Sequence, residues 1–267
     1  MNNNFIKKSL VLTIALFVTF FLNIYPAYSG ILTDRIALYP HWEHQLSLPT
    51  PHQELIFPSW FEGKWDVKST LKQQIAPLSP KFKTPAFDSN EQYIDKNITF
   101  FVQFIPTIFN PKNDNFIPSI IHKKPVIIPD RAFNGLAISQ AYLGEENVKE
   151  VIINKNNSTE QITKFKGENE LISTVIGRQQ EIVSEDKFIT SEITRQFFRR
   201  PNSVYLNLVE TTTKYELINP DYIQGKQVTA IYLSPQDPDY FIAFDQPVAL
   251  YYYTLDLHKK MSNFELK

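Results

Sequence analysis

Two histidines early in the chain have the spacing of a metal-binding pair. In the stretch HWEH, His41 and His44 would lie on one face of a helix, where two imidazoles can coordinate zinc. Three more side chains of ligand type lie in the same segment: Glu43, His52 and Glu54. Pro40 and Trp42 do not favour a helix here, and a flexible segment holds a metal poorly. We therefore predict no metal site.

Two other polar clusters are more simply interpreted as surface structure. Asp237 and Asp239 lie between prolines in SPQDPDY, a pattern that indicates a rigid turn more than a calcium site. Arg195, Arg199 and Arg200 flank two phenylalanines in RQFFRRPN and could hold a lipid headgroup or an anionic partner. We expect these arginines to lie in solvent at the end of a strand.

The sequence contains no motif of an enzyme active site. There is no Gly-x-Ser-x-Gly elbow, no His-Glu-x-x-His helix and no phosphate-binding glycine loop. The absence of cysteine excludes thiol catalysis, disulfides and cysteine-ligated zinc. A formal net charge of -1 argues against a nucleic-acid partner, which needs a basic surface. We predict no catalytic residues, no cofactor and no nucleic-acid binding.

The start of the chain has the pattern of an export signal. Lys7 and Lys8 precede an apolar run over residues 10–24, and Ala27 and Ser29 occupy the small-residue positions of a cleavage site. The run is slightly short of the roughly 20 residues that a membrane-spanning helix needs. We expect the signal to be cleaved, with an uncleaved membrane anchor as the alternative. Either form places the remaining chain outside the cytoplasm.

The rest of the chain has the alternating pattern of β-strands. In WDVKSTL, Trp65 and Val67 fall on one face and Asp66 and Lys68 on the other, as in a half-buried strand. Turn-forming stretches separate the later apolar runs. Further strands are predicted near residues 97–105, 148–154, 160–166, 170–178, 187–197, 204–216, 227–234 and 241–257.

One helix completes the predicted domain. It lies within residues 129–144, where Asn134 can cap its start and Gly144 can end it. About nine strands joined mostly by short turns favour an all-β, antiparallel up-and-down β-barrel of roughly 8–10 strands, which hides its edges by closing on itself. The predicted organisation is a signal peptide over residues 1–29, an extended arm over residues 30–56 and a barrel over residues 57–267.

Two tryptophans at the start of the first strand allow two interpretations. Trp60 and Trp65 lie around Gly63 in FPSWFEGKWDV. They could line a ligand cavity, or Trp65 could plug one end of the barrel while Trp60 holds the arm. Large aromatic side chains bury much area and dominate cores, which favours the structural interpretation. Any ligand site is then expected at the opposite end of the barrel.

The tripeptide Gly63-Lys64-Trp65 resembles the Gly-x-Trp signature of lipocalins and related calycins. The resemblance implies a barrel whose tryptophan closes one end and whose open end binds small apolar ligands. The mature region is also similar to an uncharacterised lipocalin-like family, a domain of unknown function in cyanobacterial and chloroplast proteins. Four stretches carry this similarity: FPSWFEGKWDV, DRAFNGLAISQAYLG, LSPQDPDYF and QPVALYYYTLDL. It implies a soluble protein of the thylakoid lumen or periplasm, with no established activity or site residues.

The end of the chain departs from the lipocalin pattern. Lysines, beginning with Lys259, follow the last predicted strand, where lipocalins have an arginine that covers the tryptophan. We predict that Arg131 takes that place and packs near Trp65, so that Gly63, Trp65 and Arg131 close the barrel. The simpler alternative is that Asp130 and Arg131 form a solvated turn.

Three classes of function fit these predictions. The first is binding of a small apolar molecule, such as a pigment, a quinone or a lipid, inside the barrel. The second is a non-enzymatic interaction or assembly factor, with a filled barrel whose loops over residues 75–125 dock on a membrane complex. The third is an enzyme that modifies a lipid or carotenoid. An open interior of several hundred Å³ would favour the first class, and a filled interior the second.

Overall fold

The computed structural model describes residues 30–84, 87–108 and 125–260. This part of the chain contains ten strands and three α-helices. The strands are β1 (Gly63–Ile75), β2 (Asn97–Thr107), β3 (Val126–Pro129), β4 (Val148–Ile153), β5 (Glu160–Phe165), β6 (Glu170–Ser184), β7 (Lys187–Arg200), β8 (Ser203–Asn219), β9 (Tyr222–Leu233) and β10 (Ala249–Lys259). The helices are α1 (Ile31–Ala37), α2 (Arg131–Leu143) and α3 (Tyr240–Ala243). The predicted signal helix within residues 1–29 lies outside the described residues.

All ten strands pair antiparallel in one sheet, in the order β3-β2-β1-β10-β9-β8-β7-β6-β5-β4. Apart from β3 and β4, strands that follow each other in the chain pair in the sheet, and β1 also pairs with β10. Because β3 and β4 are both edges, the curled sheet is a half-barrel. The predicted all-β, up-and-down antiparallel fold is therefore confirmed. The last strand begins at Ala249, later than predicted, because α3 and Pro247 precede it.

An aromatic plug fills the concave face of the half-barrel at the start of β1. We define it as Phe57, Phe61, Trp65, Phe104 and Phe188, all of which are buried. The ring centroid of Phe57 lies 4.8 Å from those of Phe61 and Phe104, a usual spacing for packed aromatic pairs. Trp65 is 0% exposed, and its indole N–H donates to the Phe61 carbonyl at 2.7 Å. Its polar atom is thus satisfied inside an apolar core.

Helix α2 follows β3 and packs against β2, β4 and β5. Its N-cap is Asp130, whose carboxylate accepts a hydrogen bond from the Phe133 N–H at 3.1 Å. The prediction that Asn134 caps this helix is wrong. Its side-chain amide instead accepts from the Gln103 N–H and donates to the Gln103 carbonyl, which fastens α2 to β2. The helix ends at Gly144, as predicted, where a φ of +90° suits glycine.

Replacing Asp130 with alanine is expected to lower the free energy of unfolding by about 1 kcal/mol, because a helix N–H loses its partner. The matched control is Asp130→Asn, which keeps an oxygen acceptor and should change stability much less. Urea unfolding of the two variants measures both values. An equal loss for both substitutions, or no loss for alanine, contradicts the capping assignment.

The start of the arm is helical, so the predicted extended conformation is wrong for residues 31–37. In α1, Leu32 and Arg35 lie one turn apart and are buried on the outer face of the sheet, opposite the aromatic plug. They pack against β6, β7 and β8. A seven-residue helix is too short to be stable alone or to show a helical period in the sequence. These contacts with the sheet therefore explain the helix.

The end of the arm bridges the gap between β6 and the β3 edge. The Arg178 N–H of β6 donates to the Pro49 carbonyl at 2.9 Å. The Phe57 N–H then donates to the Ile127 carbonyl of β3 at 2.8 Å. Residues 49–57 thus supply main-chain contacts to strands that do not pair with each other.

Candidate functional site

A cavity of about 520 Å³ lies on the concave face, at the end of β1 away from Trp65. We call it the outer cavity. Its aliphatic lining comes from β1, β2, α2, β8 and β9: Leu71, Ile98, Leu143, Val209 and Ile231. The cavity and the aromatic plug therefore occupy opposite ends of the same concave face.

Tyrosines supply much of the polar surface of the outer cavity. Ser69 Oγ and Tyr142 Oη lie 3.1 Å apart, and the Asn90 amide donates to Tyr251 Oη at 3.3 Å. Burial raises the pKa of Tyr142 and the pKa of Tyr253 above the ordinary value of 10.0. Both phenols therefore stay protonated at neutral pH, and they present uncharged hydroxyl groups beside the aliphatic side chains of the cavity.

Two smaller cavities continue along the concave face toward helix α2. A middle cavity of about 290 Å³ shares Ser69 and Tyr253 with the outer cavity. An inner cavity of about 380 Å³ shares Val102 and Tyr215 with the middle one and reaches Arg131. Because neighbouring cavities share lining side chains, the three form one series. It runs from the open end of the concave face to the gap between β6 and β3 that residues 49–57 bridge.

An ion cluster of Glu54, Arg131, Arg178 and Glu192 lies at the inner cavity. Arg131 donates from Nε to Glu54 and from Nη2 to Glu192 Oε1, both at 2.5 Å. Arg178 donates from Nε to the same Glu192 oxygen at 2.6 Å, and its Nη1 lies 3.1 Å from Glu54 Oε1. The four side chains come from the arm, α2, β6 and β7. The cluster therefore joins α2, which follows β3, to β6 and β7, with Glu54 of the arm between them.

Arg131 does not take the place that the sequence predicted for it. Its guanidinium pairs with carboxylates, and the cation over the Trp65 ring is Lys259, with Nζ 5.4 Å from the ring centroid. The alternative of a solvated turn is also wrong, because Arg131 is largely buried in the cluster. Gly63 begins β1 with a φ of +112°, which favours glycine. Trp60 stacks on the plug with its ring 4.2 Å from that of Phe61.

The pKa of Glu54 makes the cluster sensitive to acid. Burial by itself raises this pKa, but the hydrogen bonds and charge of Arg131 and the charge of Arg178 outweigh it and hold the pKa below the ordinary 4.5. Glu54 therefore stabilises the fold above about pH 4.5, and this contribution is lost as the pH falls through the lower folded-state pKa.

The Glu54→Gln variant is expected to lose stability at pH 7 and to lose less than the wild type on acidification below pH 4.5. Urea unfolding at several pH values measures the free energy of unfolding of both proteins. Glu62→Gln, at an exposed position, is the control and should follow the wild type. Carboxyl groups ordinarily titrate between roughly pH 2 and pH 5. An equal fall in the free energy of unfolding of the wild type and of Glu54→Gln over that range would show that the Glu54 carboxylate is not linked to folding.

The other polar clusters of the sequence lie on the surface. Arg199 pairs with Glu170, and Asp237 accepts a hydrogen bond from the Asp239 N–H at 2.9 Å, as expected for a turn. Within residues 30–84, 87–108 and 125–260, no group of three or more His, Cys, Asp or Glu side chains is placed to hold a metal ion.

Sequence reasoning missed a buried ion pair on the outer face. Glu210 of β8 is 0% exposed and Arg35 of α1 is 6% exposed. Arg35 donates to both Glu210 oxygens at 2.8 Å, and Glu210 also accepts from Tyr232 Oη at 3.0 Å and from the Leu46 N–H at 3.1 Å. Glu210 extends the apolar face of Leu208 along β8. A carboxylate on such a face is the signal that could have predicted a buried partner.

The fold and the site define an antiparallel up-and-down half-barrel with a series of cavities on its concave face. None of the helices in the described part of the chain is long and apolar enough to cross a membrane. Residues 50–261 match the family described as "Domain of unknown function (DUF6816)", and the chain belongs to that family. No curated protein and no solved structure matches the chain.

Proposed function

We propose that this protein binds a small apolar molecule, such as a pigment, a quinone or a lipid, in the outer cavity. The observation that carries the proposal is the space of about 520 Å³ on the concave face. Small-molecule sites are mostly apolar clefts of about 300–1,000 Å³ with a few polar groups. Aliphatic walls would take up the apolar surface of the ligand, and uncharged tyrosine hydroxyls would orient it.

We further propose that the half-barrel is lipocalin-like and acts in the periplasm or the thylakoid lumen. The first part is supported by Gly63-Lys64-Trp65, because Trp65 packs in the aromatic plug and the cavity lies toward the other end of β1. The second part is supported by the export pattern over residues 1–29. An uncleaved segment would instead hold the domain at a membrane surface.

The cavities favour binding over the two alternatives. An assembly factor for a membrane complex needs no interior space, whereas the plug fills the concave face only near the start of β1. An enzyme that modifies a lipid or carotenoid needs reactive groups free to act on a substrate. The two charged groups that line the inner cavity, Arg131 and Glu192, are instead neutralised by each other and by the rest of the ion cluster.

Titration with N-phenyl-1-naphthylamine (NPN) tests the proposal, because the emission of this neutral fluorophore rises in apolar surroundings. The folded full chain is expected to give a saturable rise with a single class of site. The same protein unfolded in urea is the control, since it has the same composition without the cavity. A signal that grows linearly without saturation for the folded protein would overturn the proposal.

A further inference from the structure

We infer that the inner end of the cavity series recognises an uncharged polar group, so that the ligand is a neutral amphiphile. Its hydroxyl or carboxamide would lie at Arg131 and Glu192, and its apolar body would extend toward the outer cavity. The inference rests on the proposed function and adds the chemical class of the ligand.

Polar side chains line both ends of the series, and at the inner end they include the paired charges of Arg131 and Glu192. Along β8, Asn207 and Val209 line the outer cavity, and Thr211 and Thr213 line the inner one. Amide side chains from α2, β5 and β9 join them there: Asn134, Gln161 and Gln227. From Asn207 in the outer cavity to Tyr215 in the inner one, the strand rises about 26 Å. A molecule that fills the series would therefore be elongated.

Three groups of the ion cluster have hydrogen-bonding capacity left over, and one of them, Nη2 of Arg178, is buried outside the lining of the inner cavity. The Nη1 group of Arg131 and Oε2 of Glu192 form no hydrogen bond with a described residue. Both residues line the inner cavity and keep 18% and 22% of their side-chain surface exposed. Guanidinium can only donate, and an ionised carboxylate can only accept. A ligand group that matches both atoms must contain an acceptor and a donor, as a hydroxyl or a carboxamide does.

The charge balance of the cluster disfavours an ionised ligand group. Two guanidinium groups and two carboxylates already compensate each other, with contacts of 2.5 to 3.1 Å. A ligand carboxylate would add an unpaired negative charge beside Glu54 and Glu192. A ligand ammonium would add an unpaired positive charge beside Arg131 and Arg178. Burying an uncompensated charge is costly, so a neutral group is preferred.

A series of ligands with the same chain tests this preference. Dodecane, dodecan-1-ol, dodecanoic acid and dodecylamine are each used to displace NPN from the full chain at pH 7. Dodecan-1-ol is expected to compete about tenfold better than each of the others, since hydrogen bonds to charged groups contribute about that factor. Equal competition by dodecane and dodecan-1-ol, or better competition by the acid or the amine, overturns the inference and leaves the proposed function standing. Absence of saturable NPN binding would instead remove the proposed function.

The Glu192→Gln variant provides a second test. It removes one negative charge, so the cluster gains an unpaired guanidinium charge, and dodecanoic acid should become the best competitor by about tenfold. Glu216→Gln is the matched control, because it removes one negative charge from a partly exposed pair outside the three cavities and should keep the wild-type ranking. Far-UV circular dichroism verifies folding of both variants. An unchanged ranking in folded Glu192→Gln contradicts the inference, and the wild-type series decides the matter if that variant does not fold.

Discussion

Replacing Glu210 with alanine is expected to lower the free energy of unfolding by about 3–5 kcal/mol, because it leaves the buried Arg35 guanidinium without a counter-charge. The carboxylate is fully buried and accepts hydrogen bonds from four residues: Arg35, Tyr232, Leu46 and Thr212. Its loss would strand donors from β9 and from two parts of the arm. We therefore expect α1 and the following residues to detach from the sheet before the sheet unfolds.

Urea unfolding measures this loss, and hydrogen exchange locates it. Glu216→Ala is the matched control, because its pair with Lys187 on the neighbouring strand is partly exposed and should contribute about 0–1 kcal/mol. Exchange should rise in residues 31–46 of the Glu210→Ala variant and stay unchanged in the control. A Glu210→Ala loss no greater than that of Glu216→Ala would show that the buried pair does not hold the arm.

The largest expected effect on binding comes from Thr229→Trp. Thr229 lies on β9 and lines both the outer and the middle cavity, so an indole at this position occupies the space where the ligand would lie. We expect NPN binding to weaken by about a hundredfold, which corresponds to about 2.8 kcal/mol. The fold should remain, because the added side chain fills a cavity and does not enter packed core.

Lys226→Trp is the control for this variant. Lys226 is exposed on the same strand, three positions away, and its side chain lies on the opposite face of the sheet. It adds an indole without reaching the cavity, and it should bind NPN like the wild type. Undiminished NPN binding by folded Thr229→Trp would place the binding site elsewhere on the protein.

The strands could be predicted because alternation is a local property of the sequence. In VALYYYTLDL, the shared face of Tyr251 and Tyr253 is visible in the sequence, and both side chains line the outer cavity. Placing Trp65 at the start of β1 also put the expected ligand site toward the other end of that strand, where the cavity lies. That the cavity is open rather than filled could not be predicted, because it depends on how side chains of separate strands pack.

The partners of Arg131 could not be predicted for a related reason. Glu54 and Glu192 lie 77 and 61 positions from Arg131 along the chain, and no local pattern joins them. The lipocalin resemblance predicted that Arg131 packs on the indole of Trp65. In the structure Lys259 lies over that ring, and Arg131 pairs with two carboxylates. The helical start of the arm could not be predicted either, because contacts with strands distant in sequence stabilise α1.

Mass spectrometry of small molecules extracted from the full chain, purified from its native source, tests most directly whether the cavity holds a ligand. Wild-type protein is expected to release one defined, largely apolar and uncharged molecule in stoichiometric amount. The Thr229→Trp variant purified in the same way should release none, and Lys226→Trp should release it as the wild type does. A wild-type extract with no such molecule, or the same molecule in equal amount from Thr229→Trp, would contradict binding in the outer cavity.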